Sequence, residues 1–424
     1  MDVIGRGQVT GVLADAEVEA IVAAGLATLP IAGQRVLVIV PDGTRTFPLP
    51  LFFRAVMRQL RPRARAVDVL VALGTHPPMR RPALLAHVGL TEASYAAEYA
   101  GVKLLNHAWA DPDALTTVGV IPAEEITRLS GGRLSEAVPV RLNRLILDYD
   151  LLLICGPVFP HEVAGFSGGN KYFFPGIAGP DIIHRTHWLG ALITSSALIG
   201  YADTPVRAVM NAAAALIPRQ RAAICGVTVA DGVAGVFVGT PEAAFQSASA
   251  LSAQRHIRWT DRTYRQVLSV LPAMYDEIWV GSKGMYKTEP VVADGGEVIL
   301  YAPHIKEISV VHGAVIRQIG YHVLDYFVKQ WDQFKHLPLG AVAHSTHVKG
   351  LGTYENGIER PRIQVTLATG LPEDVCRAVN LGYRDPATIN PADFANREDE
   401  GLLLVPHAGE TLYRPKPGVA MAAP

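Results

Sequence analysis

The sequence predicts an α/β protein with a mainly parallel sheet, because apolar strands, loops and helices follow one another repeatedly. The strand VLVIV (36–40) leads through a loop to the helical LFFRAVMRQL, and VDVLVAL (67–73) leads in the same way to RRPALLAHVGL. This order is typical of right-handed βαβ units. The strands are continuous apolar runs rather than alternating ones, as expected for strands buried on both faces.

Further elements extend this pattern along the chain. We expect a helix at 15–28, strands near 102–106 and at 145–154, and a hairpin turn at Asp231-Gly232. From about residue 257 a second α/β pattern begins, and AVAHSTHVKG (341–350) is predicted to start another strand. We therefore predict a larger domain of residues 1–257 plus 341–424 and a smaller α/β domain of residues 258–340.

Composition excludes several classes of protein. Of 424 residues, 49% are hydrophobic and 18% charged, with a net charge of −1 and no long basic run, so a compact globular protein without a nucleic-acid partner is expected. No apolar run of about 18 residues occurs and the first residues lack a signal-peptide core, so no membrane partner is expected. Three widely spaced cysteines, Cys155, Cys225 and Cys376, favour a reducing cytoplasm.

Polar motifs follow the carboxyl ends of the predicted strands. These are PDGTR (41–45), GTH (74–76), Asn106-His107 and the long loop from Cys155 to His187. In an open parallel sheet that edge forms the ligand crevice. The motifs therefore indicate a binding site at one edge of the sheet.

Each motif by itself allows more than one interpretation. His184 and His187, at i,i+3 spacing, suit metal ligation, although one ligand and one bystander is as reasonable. GFSGGNK (165–171) is similar to a phosphate-cradling loop but is not a Walker A motif. Asp42 and Arg45 suit either a small anion or a capped turn.

Taken together, the motifs carry a resemblance. PDGTR, GTH, NH and PHEVAGFSGGNK, with His187 sixteen residues after Lys171, resemble the nickel-dependent lactate racemase family of 2-hydroxyacid racemases and epimerases. KGMY, ADGGEVI and AHSTHVKGLGTYENG extend the resemblance over essentially the whole chain. It implies a cleft between two α/β domains as the active site.

The resemblance implies a nickel-pincer nucleotide, joined covalently to Lys171, with His187 as the protein ligand of nickel. His107 and His161 match the two acid/base histidines, while Arg45 and Lys283 match the residues that hold the substrate carboxylate and carbonyl oxygen. The residues matching the cofactor-binding motifs are Asp42, Thr44, Gly165, Ser167, Gly168 and Gly169. The implied partners are a small 2-hydroxy acid and separate cofactor maturation enzymes.

Two departures bear on the substrate. Pro77 replaces an arginine frequent in the family, and Trp279 with Val280 replaces a more polar pair before Lys283. An apolar pair there favours lactate or another short aliphatic 2-hydroxy acid over malate or an aldonic acid. Lys287 lies close enough in sequence to share the role of Lys283. The alternatives are a cofactor-free small-acid binding protein and a zinc or nickel hydrolase using His161, His184 and His187.

Overall fold

The structure is a computed structural model that describes residues 2–419. The chain forms two compact units. The first unit comprises the residues up to 159, residues 166–183 and residues 202–255. The second unit comprises residues 160–165, residues 184–201 and the chain from residue 256 onward.

The strands, numbered in chain order, are β1 (Ile4–Gly7), β2 (Arg35–Val40), β3 (Ala66–Val71), β4 (Leu104–Asn106), β5 (Leu115–Ile121), β6 (Val138–Asn143), β7 (Leu151–Pro157), β8 (Pro160–His161), β9 (Gly165–Phe166), β10 (Gln220–Val229), β11 (Gly232–Gly239), β12 (Ile257–Thr260), β13 (Tyr264–Val270), β14 (Val292–Ala302), β15 (Gly352–Glu355), β16 (Ile358–Pro361), β17 (Gln364–Thr369), β18 (Gly382–Tyr383), β19 (Leu402–Val405) and β20 (Leu412–Pro415).

The α-helices are α1 (Asp15–Ala27), α2 (Leu49–Leu60), α3 (Arg81–His87), α4 (Glu92–Ser94), α5 (Ala123–Leu129), α6 (Pro180–Ile193), α7 (Ser195–Leu198), α8 (Pro205–Ala215), α9 (Pro241–His256), α10 (Ile278–Gly281), α11 (Lys283–Tyr286), α12 (Gly313–Ile319), α13 (Leu324–Lys329), α14 (Trp331–Phe334), α15 (Leu339–Lys349) and α16 (Glu373–Ala378). No helix among residues 2–419 is long and apolar enough to cross a lipid bilayer.

The first unit is built on a seven-stranded sheet in the order β1-β11-β10-β7-β2-β3-β4. The five strands from β10 to β4 are parallel, and β11 and β1 complete one edge in antiparallel pairing. The α/β class is thus confirmed, as is the hairpin at Asp231-Gly232, which joins β10 to β11. The core of this unit packs helices α1 and α2 on the buried strands.

One strand begins later than predicted. Residues 144–148, expected within a strand at 145–154, form a 3-10 turn, and β7 starts at Leu151. The Asn143 side chain accepts a hydrogen bond from the Leu145 backbone N–H at 3.1 Å and starts this turn. Side-chain capping therefore overrides the apolar pattern there.

The second unit contains a five-stranded, wholly parallel sheet in the order β18-β17-β14-β13-β19. Strands β17 and β19 hydrogen-bond to β14 and β13, so the segment after residue 340 belongs to this unit and not with residues 1–257 as predicted. The strand predicted at 341–350 is also wrong, because this segment is helix α15. Every residue of α15 is buried, which removes the amphipathic period that would have indicated a helix.

Candidate active site

The PDGTR loop begins directly after β2 in the first unit. Asp42 Oδ1 accepts hydrogen bonds from the Thr44 backbone N–H at 3.1 Å and from its hydroxyl at 2.7 Å. Asp42 Oδ2 forms a short hydrogen bond with His76 Nδ1, which joins this loop to the GTH loop after β3. Arg45 donates to the Thr44 carbonyl at 3.2 Å. Asp42 and Thr44 therefore hold the loop shape, and Arg45 is its cationic group.

His107 follows β4 and is almost completely buried, with 2% of its surface exposed. Its Nε2 donates to the Ala178 carbonyl at 2.9 Å, and its Nδ1 accepts from the Asn143 amide at 3.1 Å. Because a carbonyl can only accept, the ring is the neutral tautomer protonated at Nε2. Burial lowers the pKa of His107 to about 4. In this arrangement both ring nitrogens bond to protein groups, as in a satisfied core histidine.

The glycine loop of the first unit needs its glycines for steric reasons. Gly168 and Gly169 have φ values of +87° and +55°. A Cβ atom would lie 2.4 Å from Val158 at Gly168 and 2.8 Å from Phe245 at Gly169. Only glycine fits such close approaches and left-handed dihedrals without strain.

The Ser167 hydroxyl is used inside the same loop. It accepts from the Phe159 backbone N–H at 2.9 Å and donates to the Pro157 carbonyl at 3.2 Å. In this conformation the Ser167 hydroxyl bonds within the loop, and its role in cofactor binding stays a prediction.

Arg207, on helix α8, contacts the glycine loop and was missed by the sequence analysis. It is 3% exposed and donates to the carbonyl of Gly168 at 3.0 Å and, in a short bond, to that of Phe166. Its guanidinium lies 4.0 Å from the centre of the Phe245 ring. Burial lowers the pKa of Arg207 to about 9. A lone arginine in the otherwise apolar PVRAVMNAAAA was the available signal.

Lys171 lies at the end of this loop, on a 3-10 turn spanning Gly169–Tyr172. Its backbone N–H donates to the Gly168 carbonyl at 3.2 Å, and its backbone carbonyl accepts from Gly176 at 3.3 Å. The side chain is partly buried. Next to it, Asn170 donates to Glu242 at 2.7 Å and anchors the turn. The turn thus fixes the base of the lysine side chain.

His161 and Gly165 lie in the second unit. His161 is 5% exposed, and its Nδ1 accepts from the Val163 backbone N–H at 3.1 Å. The Glu162 carboxylate lies 3.5 Å from the same nitrogen. The Gly165 carbonyl accepts from the Gly200 N–H at 2.9 Å.

Helix α6 carries His184 and His187 on one face. His184 Nδ1 accepts from the Gly340 backbone N–H at 3.2 Å, so this nitrogen is bonded within the protein. His187 is partly buried. Among residues 2–419 no group of three or more His, Cys, Asp or Glu side chains is arranged to hold a metal ion by itself.

The two lysines near residue 285 occupy different environments. The Lys283 ammonium lies 4.7 Å from the centre of the Tyr275 ring and is 6% exposed. Lys287 is 2% exposed and donates a short hydrogen bond to the Gly409 carbonyl. Its own backbone carbonyl accepts from Tyr413, at 2.8 Å. Lys287 is therefore bonded to the C-terminal segment of the second unit.

Helix α15 contributes two buried histidines that the sequence analysis did not single out. His344 Nδ1 bonds to the Tyr286 hydroxyl at 3.0 Å, and the Trp279 ring stacks on His344 and His312 with centroid distances of 3.8 and 4.2 Å. The Nε2 atoms of His344 and His347 have no hydrogen-bond partner within the described chain. Burial lowers the pKa of His347 to about 4. Burial, with other histidines nearby, holds the pKa of His344 well below its usual value.

Comparison with known proteins gives a consistent result. Residues 12–200 match the family described as the lactate racemase N-terminal domain. Two curated lactate racemases also match, from Thermoanaerobacterium thermosaccharolyticum at 27% identity over 158 residues and from Lactiplantibacillus plantarum at 29% over 157 residues. Residues 12–200 therefore belong to the lactate racemase N-terminal domain family.

The matches differ in extent between sequence and structure. The aligned part covers 36% of this chain but spans only 32% of the length of each curated lactate racemase. A crystal structure of a Thermotoga maritima protein is 32% identical and covers 95% of this chain and 99% of its own, with a TM-score of 0.88. The lactate racemase apoprotein from T. thermosaccharolyticum has the same fold at 16% identity, covering 97% and 94% with a TM-score of 0.73.

Proposed function

We propose that this member of the lactate racemase family is an isomerase that racemises a small 2-hydroxy acid, using a nickel-pincer nucleotide attached to Lys171. The observation that carries the proposal is the position of Lys171 at the end of a glycine loop built for close approach. That loop lies within residues 12–200, the part that matches the family. Residue roles below rest on the motif resemblance together with these contacts.

The residues present fit such a cofactor. The Ser167 hydroxyl in the loop and the Arg207 guanidinium beside it both bond within the protein. Lys171 supplies the primary amine that a covalent attachment needs. A metal that takes most of its ligands from a bound nucleotide would need one imidazole from the protein, and by its match to the family motif His187 would supply it. The backbone bonds of the turn fix where the Lys171 side chain starts.

When bound, the nucleotide supplies a hydride acceptor that lets a 2-hydroxy acid pass through a planar 2-keto acid. The side chains have separate tasks. Arg45 can grip the substrate carboxylate with its planar fork. The Lys283 ammonium can stabilise negative charge on the oxygen that becomes the carbonyl. Two histidines, His107 and His161, then exchange the hydroxyl proton, one for each enantiomer.

Each histidine has a different requirement as a base. His107, with its pKa lowered to about 4, is neutral at pH 7, which is the form that accepts a proton. To accept a proton at Nδ1 it must first release the Asn143 amide, because Nε2 already carries the hydrogen donated to Ala178. His161 has the Glu162 carboxylate 3.5 Å from Nδ1, and the same nitrogen accepts from the Val163 N–H. Reorganisation around His107 is therefore part of the proposed cycle.

Within this class we propose lactate or another short aliphatic acid as substrate. Val280 is 4% exposed, and the Trp279 ring is fixed by stacking on His312 and His344. A rigid apolar surface favours added methylenes by about 0.8 kcal/mol each. An unpaired second carboxylate there would be disfavoured by several kcal/mol. Initial rates with enantiopure lactate, 2-hydroxybutyrate, malate and gluconate, followed by circular dichroism, test this order.

Intact-mass spectrometry of the chain produced together with cofactor maturation enzymes tests the main proposal. The wild-type protein should carry a nucleotide-sized covalent addition and racemise a 2-hydroxy acid. Lys171→Ala should lose the addition and all turnover while keeping its far-UV circular dichroism spectrum. Lys335→Ala, at an exposed lysine, is the matched control and should keep both. Racemisation by Lys171→Ala would refute the attachment, and saturable acid binding without any addition would favour the cofactor-free binding protein.

A further inference from the structure

The GTH loop of the first unit connects β3 to helix α3. The His76 backbone N–H donates to the Leu73 carbonyl at 2.9 Å, which closes a tight turn at the start of the loop. The next two residues, Pro77 and Pro78, are exposed and have no backbone N–H. The first backbone N–H beyond His76 that can hold the loop therefore belongs to Met79.

The Asn106 side chain binds both backbone groups of Met79. Asn106 Oδ1 accepts from the Met79 N–H at 3.1 Å, and Asn106 Nδ2 donates to the Met79 carbonyl at 2.8 Å. A primary amide donates and accepts in one plane, so this pair of bonds fixes both the position and the orientation of the residue it holds. Asn106 is the last residue of β4 and pairs with Val71 of β3. The Asn106–Met79 clamp therefore ties the second half of the GTH loop to the sheet.

The clamped loop in turn contacts the PDGTR loop. His76 Nδ1 forms a short hydrogen bond with Asp42 Oδ2. The other oxygen of this carboxylate accepts from the Thr44 N–H at 3.1 Å and from the Thr44 hydroxyl at 2.7 Å. Arg45, the next residue, is the proposed substrate-binding cation. The His76–Asp42 bond thus joins the clamped loop to the segment that carries Arg45.

The two prolines make the connection between the clamp and His76 stiff. Each proline ring fixes its φ angle, so a displacement at Met79 is transmitted along the chain and is not absorbed between the two residues. Neither His76 nor Asn106 has a task in the proposed mechanism, although both lie in polar motifs that follow strands. A clamp that served its own loop alone would not need the further bond from His76 to Asp42.

We propose that Asn106 is a positioning residue that holds Asp42 through the GTH loop and so sets the place from which Arg45 reaches a substrate carboxylate. The role of Arg45 rests on the proposed function, whereas the path of contacts from Asn106 to Asp42 does not. Misplacing a binding group by about 1 Å can lower catalytic efficiency about 100-fold. Loss of the clamp should lower kcat/KM about tenfold, mainly through a higher KM, because the carboxylate is gripped equally before and during the reaction.

Hydrogen-exchange mass spectrometry of the full chain tests the path without substrate or cofactor. Asn106→Ala should speed exchange in peptides that cover residues 73–79 and also in those that cover residues 41–46. Asn106→Asp keeps one acceptor oxygen and should speed exchange less in both. Asn390→Ala removes a side-chain bond to the Ala392 N–H in the second unit. It is the matched control and should leave both sets of peptides as in the wild type.

The exchange results separate the alternatives. Faster exchange in residues 73–79 alone would confine Asn106 to its own loop and overturn the proposal. Unchanged exchange in both segments would show that the clamp holds neither loop and would overturn it as well. Far-UV circular dichroism establishes that each variant is folded, and Asn106→Asp, which keeps one of the two bonds, decides the matter if Asn106→Ala does not fold.

Racemisation kinetics then test the link to Arg45. Protein produced with cofactor maturation enzymes is assayed with enantiopure lactate and 2-hydroxybutyrate. KM should rise about tenfold in Asn106→Ala with a smaller change in kcat, and Asn106→Asp should recover part of the loss. A lower kcat at unchanged KM would overturn the assignment to Arg45. Absence of racemisation by the wild type would refute the proposed function, while the exchange data would still decide the path from Asn106 to Asp42.

Discussion

The glycine loop of the first unit and helices α7 and α15 of the second unit differ in how their polar side chains are used. In the first unit Ser167 and His107 have protein partners for their side-chain polar atoms. In the second unit Ser195 Oγ and His347 Nε2 are equally buried but have none within the described chain. The contrast teaches that the motif-bearing loop is a fixed scaffold, whereas the two helices keep buried polar atoms without a hydrogen-bond partner among residues 2–419.

The largest expected effect comes from breaking the scaffold at Arg207. Arg207→Met removes the donors to the Gly168 and Phe166 carbonyls and leaves both buried. Each lost hydrogen bond came from a charged group and is worth about 1.5–3 kcal/mol, so the free energy of unfolding should fall by about 2–5 kcal/mol, although the Gly168 carbonyl keeps the Lys171 N–H. Urea denaturation measures this. Arg128→Met, at an exposed arginine, should change stability by less than about 0.5 kcal/mol. An equally small effect of Arg207→Met would show that the loop holds its shape alone.

Acidification should affect both regions through their buried histidines. Burial lowers the pKa of His107 and of His347 to about 4 from an ordinary value of 6.5. Because the folded-state pKa is depressed, each neutral ring contributes stability that is complete above pH 6.5. It is lost as pH falls towards 4, and amounts to about 3 kcal/mol per histidine at most.

Replacing either histidine with glutamine should therefore reduce the slope of the unfolding free energy against pH. Between pH 6.5 and 4 the reduction should correspond to about one proton per molecule. Urea unfolding at several pH values measures the slope for His107→Gln and His347→Gln, with the exposed His336→Gln as the control. His347→Gln removes no hydrogen bond from Nε2, so at pH 7 it should be the less destabilising change. An unaltered slope in both variants would contradict neutral burial.

The smallest effects compare two buried serines directly. Ser167→Ala removes two hydrogen bonds and leaves the Phe159 N–H and the Pro157 carbonyl without that partner, so it should lower the free energy of unfolding by about 1–3 kcal/mol. Ser195→Ala removes a hydroxyl without a partner and should change it by less than about 0.5 kcal/mol. Differential scanning calorimetry measures both. Equal losses would mean that Ser195 has a partner in solution and would erase the contrast.

Local patterns determined much of this protein from sequence. Continuous apolar runs located β2 and β3, and an Asp-Gly turn located the β10–β11 hairpin. Glycine spacing identified the loop that ends at Lys171, because close backbone approaches require glycine wherever they occur. Each of these features depends on residues adjacent in the chain, so the sequence contains the whole of the evidence for it.

Tertiary structure decided what depends on residues far apart. Only strand pairing assigns β17 and β19 to the second unit, and only complete burial explains why α15 lacks a helical pattern. The roles of Arg207 and Lys287 are set by carbonyls distant in sequence. The protonation state of His107 is likewise set by distant residues, Ala178 and Asn143. A side chain's chemistry follows from its partners, and the fold, through contacts between distant segments, selects those partners.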